Sequence, residues 1–263
     1  MSILETILRS RRSGIEHAKK EISEDRLRER PLFARKSLSL LSALQNASPA
    51  VIAEVKKASP SRGVIRQNFD PVSIAREYAG AGANAISVLT EEEFFKGSIQ
   101  HLEAIRAEVS LPLLRKDFIV DPYQLTEAKA FGADAVLLIA AALSASELAD
   151  LSERCQALDL EYLVEVHTQE DLRRLRGVRC PLVGINNRDL ATFRTDLAVS
   201  FELAPLLGPG TICVSESGIR SREDVERLAA AGIHAILVGE HLMESPRPAE
   251  ALSRLLAPAP VRP

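Results

Sequence analysis

The chain has 263 residues, 46% of them apolar and 26% charged, a balance that excludes a disordered polypeptide. Lys and Arg number 33 against 36 Asp and Glu, a net charge of −3, which argues against a general nucleic-acid binder, since that needs a basic face. No stretch approaches the ~20 uncharged apolar residues of a membrane span, and the opening Met1-Ser2-Ile3-Leu4-Glu5 has no signal-peptide apolar core. With aromatics at 4% and no Trp, the core must come from Ala, Val, Ile and Leu. Cys155, Cys180 and Cys213 form no C-x-x-C pair and cannot all pair with one another, so the expected setting is a reducing cytoplasm without a structural disulfide or zinc site.

Residues 1–48 carry many charges and apolar residues at helical spacing: Ile3, Ile7 and Leu8, then Leu38, Leu41 and Leu44. The spacing predicts helices broken at Pro31. From Val51 the texture changes to short Val, Ile and Leu-rich runs alternating with longer amphipathic stretches. The runs are 51–55, 85–89, 113–115, 135–140, 162–166, 182–186, 211–214 and 235–239. Continuous apolar runs predict strands buried on both faces, as in a parallel sheet with helical crossovers.

A weak repeat supports that reading. Ala81-Gly82-Ala83-Asn84-Ala85, Phe131-Gly132-Ala133-Asp134-Ala135 and Ala231-Gly232-Ile233-His234-Ala235 share a pattern in which glycine suits the position after a helix end and an apolar run follows. Eight units of ~25 residues fill the span 49–256 and predict a closed (β/α)8 TIM barrel preceded by a helical extension, 1–48. The alternative, an open doubly wound sheet, ordinarily carries a Gly-rich turn after its first strand, and none is present. The Pro-rich tail, 257–263, is expected to be disordered.

A barrel of this kind works at the C-terminal ends of its strands. There the sequence places Glu54 and Lys56, Lys116, Glu165, Asn186 and Glu216, on the parity of interior residues such as Ile52, Leu114 and Leu163. One charge at a strand end is ordinarily solvated or ion-paired. Six polar groups at five strand ends of matching polarity point to one functional mouth. Arg115 and Asp117 have the opposite parity and read as a structural pair outside it, so that Arg115→Lys is expected to be mild. The segments Ser59-Pro60-Ser61-Arg62-Gly63, Ser215-Glu216-Ser217-Gly218-Ile219 and Val238-Gly239-Glu240 suit an anion, because glycine admits close backbone approach and the loops after strands seven and eight commonly hold phosphate. Glu240 counts against this unless its carboxylate points away. The five His (17, 101, 167, 234, 241) show no metal-ligand spacing and read as surface or helix-packing residues, and Cys213 reads as a small core residue. No metal and no cofactor is expected.

The segments Ile52-Ala53-Glu54-Val55-Lys56-Lys57-Ala58-Ser59-Pro60-Ser61, Leu89-Thr90-Glu91 with Phe94-Phe95-Lys96-Gly97-Ser98, Arg115-Lys116-Asp117-Phe118-Ile119, Leu163-Val164-Glu165-Val166-His167, Gly184-Ile185-Asn186-Asn187-Arg188-Asp189-Leu190 and Ser215-Glu216-Ser217-Gly218-Ile219 resemble, in order, those of the indole-3-glycerol-phosphate synthase family. The resemblance runs from about residue 3 to 256 and implies that the helical extension, 1–48, lies over the barrel mouth. It implies ring closure of 1-(2-carboxyphenylamino)-1-deoxyribulose 5-phosphate with loss of CO2 and water, in tryptophan synthesis. It implies Lys116 as the general acid at the carbonyl oxygen, Lys56 as the contact of the substrate carboxylate, and Glu165 and Glu54 as catalytic carboxylates. Asn186 and Glu216 would hold the substrate and the network. Ser59, Ser217, Gly218 and Gly239 would meet the phosphate, with Arg188 among the binding residues. Leu89, Phe95, Phe118, Leu137, Leu190 and Val238 would form the apolar wall. Ala58 and Glu240 stand where some members carry Lys and Ser, which bears on phosphate affinity. An acid lysine works best with a lowered proton affinity, which desolvation or a neighbouring Lys supplies and nearby carboxylates oppose. A sister barrel such as phosphoribosylanthranilate isomerase, or a non-catalytic phosphate-binding barrel, is the alternative. The partner expected is a small aryl-amino sugar phosphate, with neither nucleic acid nor membrane, bound by a monomer or weak oligomer.

Overall fold

A computed structural model describes residues 2–189 and 192–257. Eight parallel strands close into a barrel: β1 (Ala50–Val55), β2 (Ala85–Leu89), β3 (Leu113–Lys116), β4 (Ala135–Ile139), β5 (Glu161–Val166), β6 (Leu182–Asn186), β7 (Ile212–Glu216) and β8 (Ala235–Val238). Each pairs with its neighbours in sequence, and β8 closes on β1 with Ala50 opposite Ala235 and Ala53 opposite Val238. The fold is thus the (β/α)8 barrel that the eight apolar runs predict.

Alternation divides each strand between two cores. Ile52, Leu114, Leu137, Leu163, Val214 and Leu237 fill the barrel, while Val51, Val136, Val164, Val183 and Ile236 face the surrounding helices. Strand-to-strand crossovers are made by α4 (Pro71–Gly80), α5 (Ile99–Arg106), α6 (Tyr123–Ala130), α7 (Ala145–Ala157), α8 (Gln169–Arg174), α9 (Ala198–Leu203) and α10 (Arg222–Ala230). After β8 come the short α11 (Glu240–Glu244) and the closing α12 (Pro248–Leu256). Reciprocal capping boxes start α7, α8 and α10, each pairing a Ser or Thr N-cap with an acidic residue three positions on. Gly82, Gly132 and Gly232 all have positive φ, which explains the repeat: each ends a helix in the left-handed conformation just before a strand.

The extension forms α1 (Ile3–Glu21), α2 (Glu24–Arg28) and α3 (Leu40–Gln45). Pro31 lies in the non-helical stretch between α2 and α3, as expected, and a further break falls earlier, between α1 and α2. Ile22 is already extended, and the Ser23 side chain accepts the N–H of Arg26 to start α2 afresh. Helix α1 lies at the mouth, tied to the loops after β2 and β3 by Ser10–Glu93, Arg11–Asp117 (2.9 Å) and Lys19–Asp121 (2.7 Å). At the other end, α3 closes the barrel bottom. Leu40 and Leu44 are fully buried in the interior core beside the first residues of the strands. Glu161, which opens β5, accepts from Ser39 Oγ and the Leu41 N–H, both at 2.7 Å.

Candidate active site

The strand ends at the mouth surround one cavity of about 550 Å³. Glu54, Lys56, Lys116, Glu165, Asn186 and Glu216 line it together. So do Ser59, Leu89, Phe95, Phe118, Leu137, Arg188, Ser217, Gly218, Val238 and Gly239. Leu190 lies outside the described residues. Ile3, Leu4 and Ile7 of α1 complete the apolar side. Their helical spacing is plain in the sequence, but their destination is not.

At the floor, Lys116 Nζ donates to Glu165 Oε2 at 2.7 Å and lies 3.4 Å from Glu216 Oε2. Beside it, Lys56 Nζ pairs with Glu54 Oε1 at 2.8 Å. Burial works against the Lys116 charge, but the carboxylates of Glu165, Glu216 and Glu54 outweigh it and hold the ammonium above its ordinary range. The lowered affinity that suits an acid lysine is therefore absent in the free site: three carboxylates at the mouth dominate desolvation.

The carboxylates respond oppositely. Desolvation opposes ionisation of Glu165, yet Lys116, His167 and a hydrogen bond from Asn186 bring it down to about 2. Glu216 is pushed up to about 8, first by desolvation, against the pull of Lys116 and with the repulsion of Glu165 and Glu54. One ammonium cannot serve both buried carboxylates equally, so their proton affinities move apart, Glu165 downward and Glu216 upward. The Lys116 ammonium, a proton donor, and the Glu165 carboxylate, an acceptor, lie within hydrogen-bond reach of each other.

The opposite end is polar. Ser59 and Ser61 hydroxyls lie 3.3 Å apart. Arg188 donates to Ser61 Oγ at 3.1 Å and to Glu240 Oε2 at 2.8 Å, while its backbone N–H donates to Asn186 Oδ1 at 3.0 Å. Arg220 reaches Glu240 Oε1 at 3.4 Å. Glu240 is thus occupied by two guanidinium groups, which offset its charge next to Ser217 and Gly218. A buried Glu91 shapes the apolar wall: it accepts the N–H groups of Glu93, Phe94 and Phe95 at 2.8–3.0 Å, setting the loop that brings the Phe95 ring 6.0 Å from that of Phe118.

Arg115 and Asp117 pair behind this layer, as their parity implies. Arg115 meets Asp117 at 3.0 Å and Glu127 at 2.7 Å, and donates to Gln124 O at 2.8 Å. Arg115 is fully buried, so Arg115→Lys is not the mild change expected from sequence: an ammonium cannot satisfy three directions of a planar fork. His167 likewise departs from a surface or packing role, with Nε2 3.4 Å from Glu165 Oε1.

Two glycines make room for carboxylates. A Cβ on Gly239 would lie 2.3 Å from Glu54 Oε1, so a substitution there disturbs Glu54 as well as any anion. A Cβ on Gly184 would lie 2.1 Å from Glu216 Oε1. Glycine inside a strand signals close approach, without saying of what. Gly184→Ala is expected to keep the barrel but displace the Glu216 carboxylate, lowering kcat by roughly 10²-fold, the scale of a 1 Å misplacement. Steady-state kinetics checks this, and a kcat near that of the parent would show that the position of Glu216 is not critical. Among the described residues no group of three or more His, Cys, Asp and Glu is placed to hold a metal ion.

Fold and mouth together define a (β/α)8-barrel enzyme that sets lysine and carboxylate groups for acid–base chemistry between an apolar wall and a polar end. The family described as Indole-3-glycerol phosphate synthase matches residues 4–255. A protein of that name from Carboxydothermus hydrogenoformans is 50% identical over 262 residues, covering 97% of this chain and 99% of its own length. Another, from Salinibacter ruber, is 50% identical over 259 residues, covering 98% and 96%. The chain belongs to the indole-3-glycerol phosphate synthase family. Among solved structures, the thiamine phosphate pyrophosphorylase of Pyrococcus furiosus superposes with a TM-score of 0.62 at 15% identity, covering 83% of this chain and 96% of that one; it shares the barrel.

Proposed function

We propose that the chain closes the indole ring of 1-(2-carboxyphenylamino)-1-deoxyribulose 5-phosphate, releasing CO2 and water, in tryptophan biosynthesis. The observation that carries the reading is Lys116, held 2.7 Å from Glu165 and 3.4 Å from Glu216 on the floor of a cavity with an apolar wall and a hydroxyl-rich end. The aryl ring packs among Leu89, Phe95, Phe118, Leu137 and Val238. The phosphate sits at Ser59, Ser217, Gly218 and Gly239, with Arg188 at the polar end. Lys56 meets the substrate carboxylate. The ring carbon bearing that carboxylate attacks the ribulose carbonyl carbon; as the carbon–carbon bond forms, Lys116 Nζ gives its proton to the carbonyl oxygen. Breaking the ring–carboxylate bond releases CO2 and returns an electron pair to the ring. The new hydroxyl then leaves as water with a proton supplied by a lysine, while the neighbouring ring carbon gives its proton to Glu165 or Glu54 and the C–H electron pair becomes the indole double bond; Asn186 and Glu216 hold the network. Each step is a proton transfer or a bond cleavage that an ammonium and a carboxylate assist.

Incubation with this substrate should produce indole fluorescence with stoichiometric CO2. Isomerase turnover of phosphoribosylanthranilate without ring closure would favour the sister barrel, and binding without turnover a non-catalytic one. Because Ile3, Leu4 and Ile7 line the cavity, removing residues 1–21 should raise KM on the order of tenfold while leaving the barrel folded. An unchanged KM in that variant would place α1 outside substrate binding. Removing 1–48 is a different experiment: it also empties the barrel bottom of Leu40 and Leu44, and each such loss typically costs about 2–5 kcal/mol. Three free cysteines support a cytoplasmic setting, and a catalytic mouth complete in one chain supports a monomer or weak oligomer.

A further inference from the structure

His167 has no part in the chemistry above. It follows β5 directly, two residues beyond Glu165, and its side chain is 11% exposed. Among the described residues neither ring nitrogen has a hydrogen-bond partner, although both are buried. A buried polar group left without a partner is costly, and such a group beside a reacting carboxylate calls for an explanation. Its Nε2 lies 3.4 Å from Glu165 Oε1, whereas Lys116 holds Oε2 at 2.7 Å.

We propose that His167 is a positioning residue that takes over the Glu165 carboxylate when Lys116 turns to the substrate. The inference rests on the ring-closure reading. To protonate the carbonyl, Lys116 must leave Glu165 Oε2; the N–H bond then breaks, an O–H bond forms on the substrate, and Lys116 becomes a neutral amine. Glu165 is left as a buried carboxylate without its cation. Asn186 offers it only a neutral amide donor. The imidazole lies at Oε1, the oxygen that Lys116 does not hold, a few tenths of an ångström beyond hydrogen-bond distance, and catalytic hydrogen bonds commonly tighten only in the substrate complex.

The charged groups around His167 do not compete for its ring. Asp171 of α8 spends Oδ2 on the backbone N–H groups of His167 and Thr168 and on the Thr168 hydroxyl, at 3.0–3.1 Å. Arg174 of the same helix donates to Ala140 O at 2.8 Å and lies 3.8 Å from Asp171 Oδ1.

Two experiments on the full chain decide the matter. In a crystal structure of Lys116→Met, which removes the ammonium without needing substrate, Nε2···Oε1 should contract below about 3.0 Å. A distance unchanged at 3.4 Å, or Glu165 turned away from the ring, overturns the proposal. In kinetics with the carboxyphenylamino substrate, His167→Leu should lower kcat roughly 10–100-fold, the value of a hydrogen bond to a charged group, with KM changed less than about threefold. The acid limb of kcat should move to higher pH in that variant, because Glu165 loses a neighbour that favours its ionised form. His167→Gln restores a donor and should recover most of kcat. Equal impairment of the Leu and Gln variants, or none in either, overturns the proposal. Failure of the parent enzyme to turn over would refute the reaction instead, and the Lys116→Met structure would still decide the contact.

Discussion

Lys116→Ala is expected to lower kcat about 10²–10⁴-fold while changing KM much less. The ammonium ends β3 inside the barrel, 2.7 Å from Glu165 and 3.4 Å from Glu216, where a cation serves no packing purpose. A carbon nucleophile attacking the ribulose carbonyl builds charge on its oxygen, and a placed proton relieves it only as the transition state forms, so the loss falls on kcat. The three carboxylates that raise the proton affinity of Lys116 also fix its place, and bound substrate must draw it away from them. Lys116→Arg should fail to rescue, since a guanidinium with a pKa of roughly 12.5 or above is a poor proton donor. The comparison variant cannot be Arg115→Lys, whose buried fork holds the adjacent layer together. A Lys116→Ala enzyme within about tenfold of the parent kcat would remove it from the acid role and point to Lys56.

Much of the barrel was legible because a strand buried on both faces has a local signature. The runs 85–89 and 182–186 coincide with strands residue for residue, and position at a strand end together with parity points Glu54, Lys116, Glu165 and Glu216 to the mouth, where they line one cavity. What was not legible depends on partners distant in sequence. Gly184 announces a close approach, but only the packed barrel shows that the approach is by Glu216 Oε1. His167 shares its segment with Glu165, yet its unpartnered ring is a property of three-dimensional surroundings. The balance between desolvation and carboxylates at Lys116 turns on distances. Helix α3 is apolar enough to be predicted, but nothing local says that Leu40 and Leu44 close the far end of the barrel from the mouth.

Asp117→Ala is expected to cost about 3–5 kcal/mol of stability, the scale of breaking a buried ion pair, and to loosen α1 over the mouth. The Asp117 side chain is wholly buried, with Oδ2 bound by Arg115 at 3.0 Å, Arg11 at 2.9 Å and the Thr90 hydroxyl at 2.6 Å, and Oδ1 by the Phe118 N–H at 2.8 Å. Its removal leaves Arg115, which is fully enclosed, with Glu127 as its one remaining carboxylate among the described residues, and frees Arg11, which reaches it from 106 positions away in sequence. Burial alone disfavours the Asp117 charge, but Arg11, Arg115, Thr90 and the Phe118 N–H outweigh it and hold the carboxyl below its ordinary range. A depressed carboxyl stabilises the fold above the unfolded value of ~3.9, and that contribution is lost as pH falls through the folded value. The stability gap between parent and variant should therefore be full at pH 7 and shrink only in strong acid. Urea denaturation of both proteins at pH 7 measures the gap, and a loss below about 1 kcal/mol would mean that the two arginines find other partners. Substrate kinetics under folding conditions separates the two consequences: because Asp117 lies between Lys116 and Phe118 while its partner Arg11 belongs to α1, a loosened helix should raise KM through Ile3, Leu4 and Ile7, whereas a shifted β3 should lower kcat through Lys116.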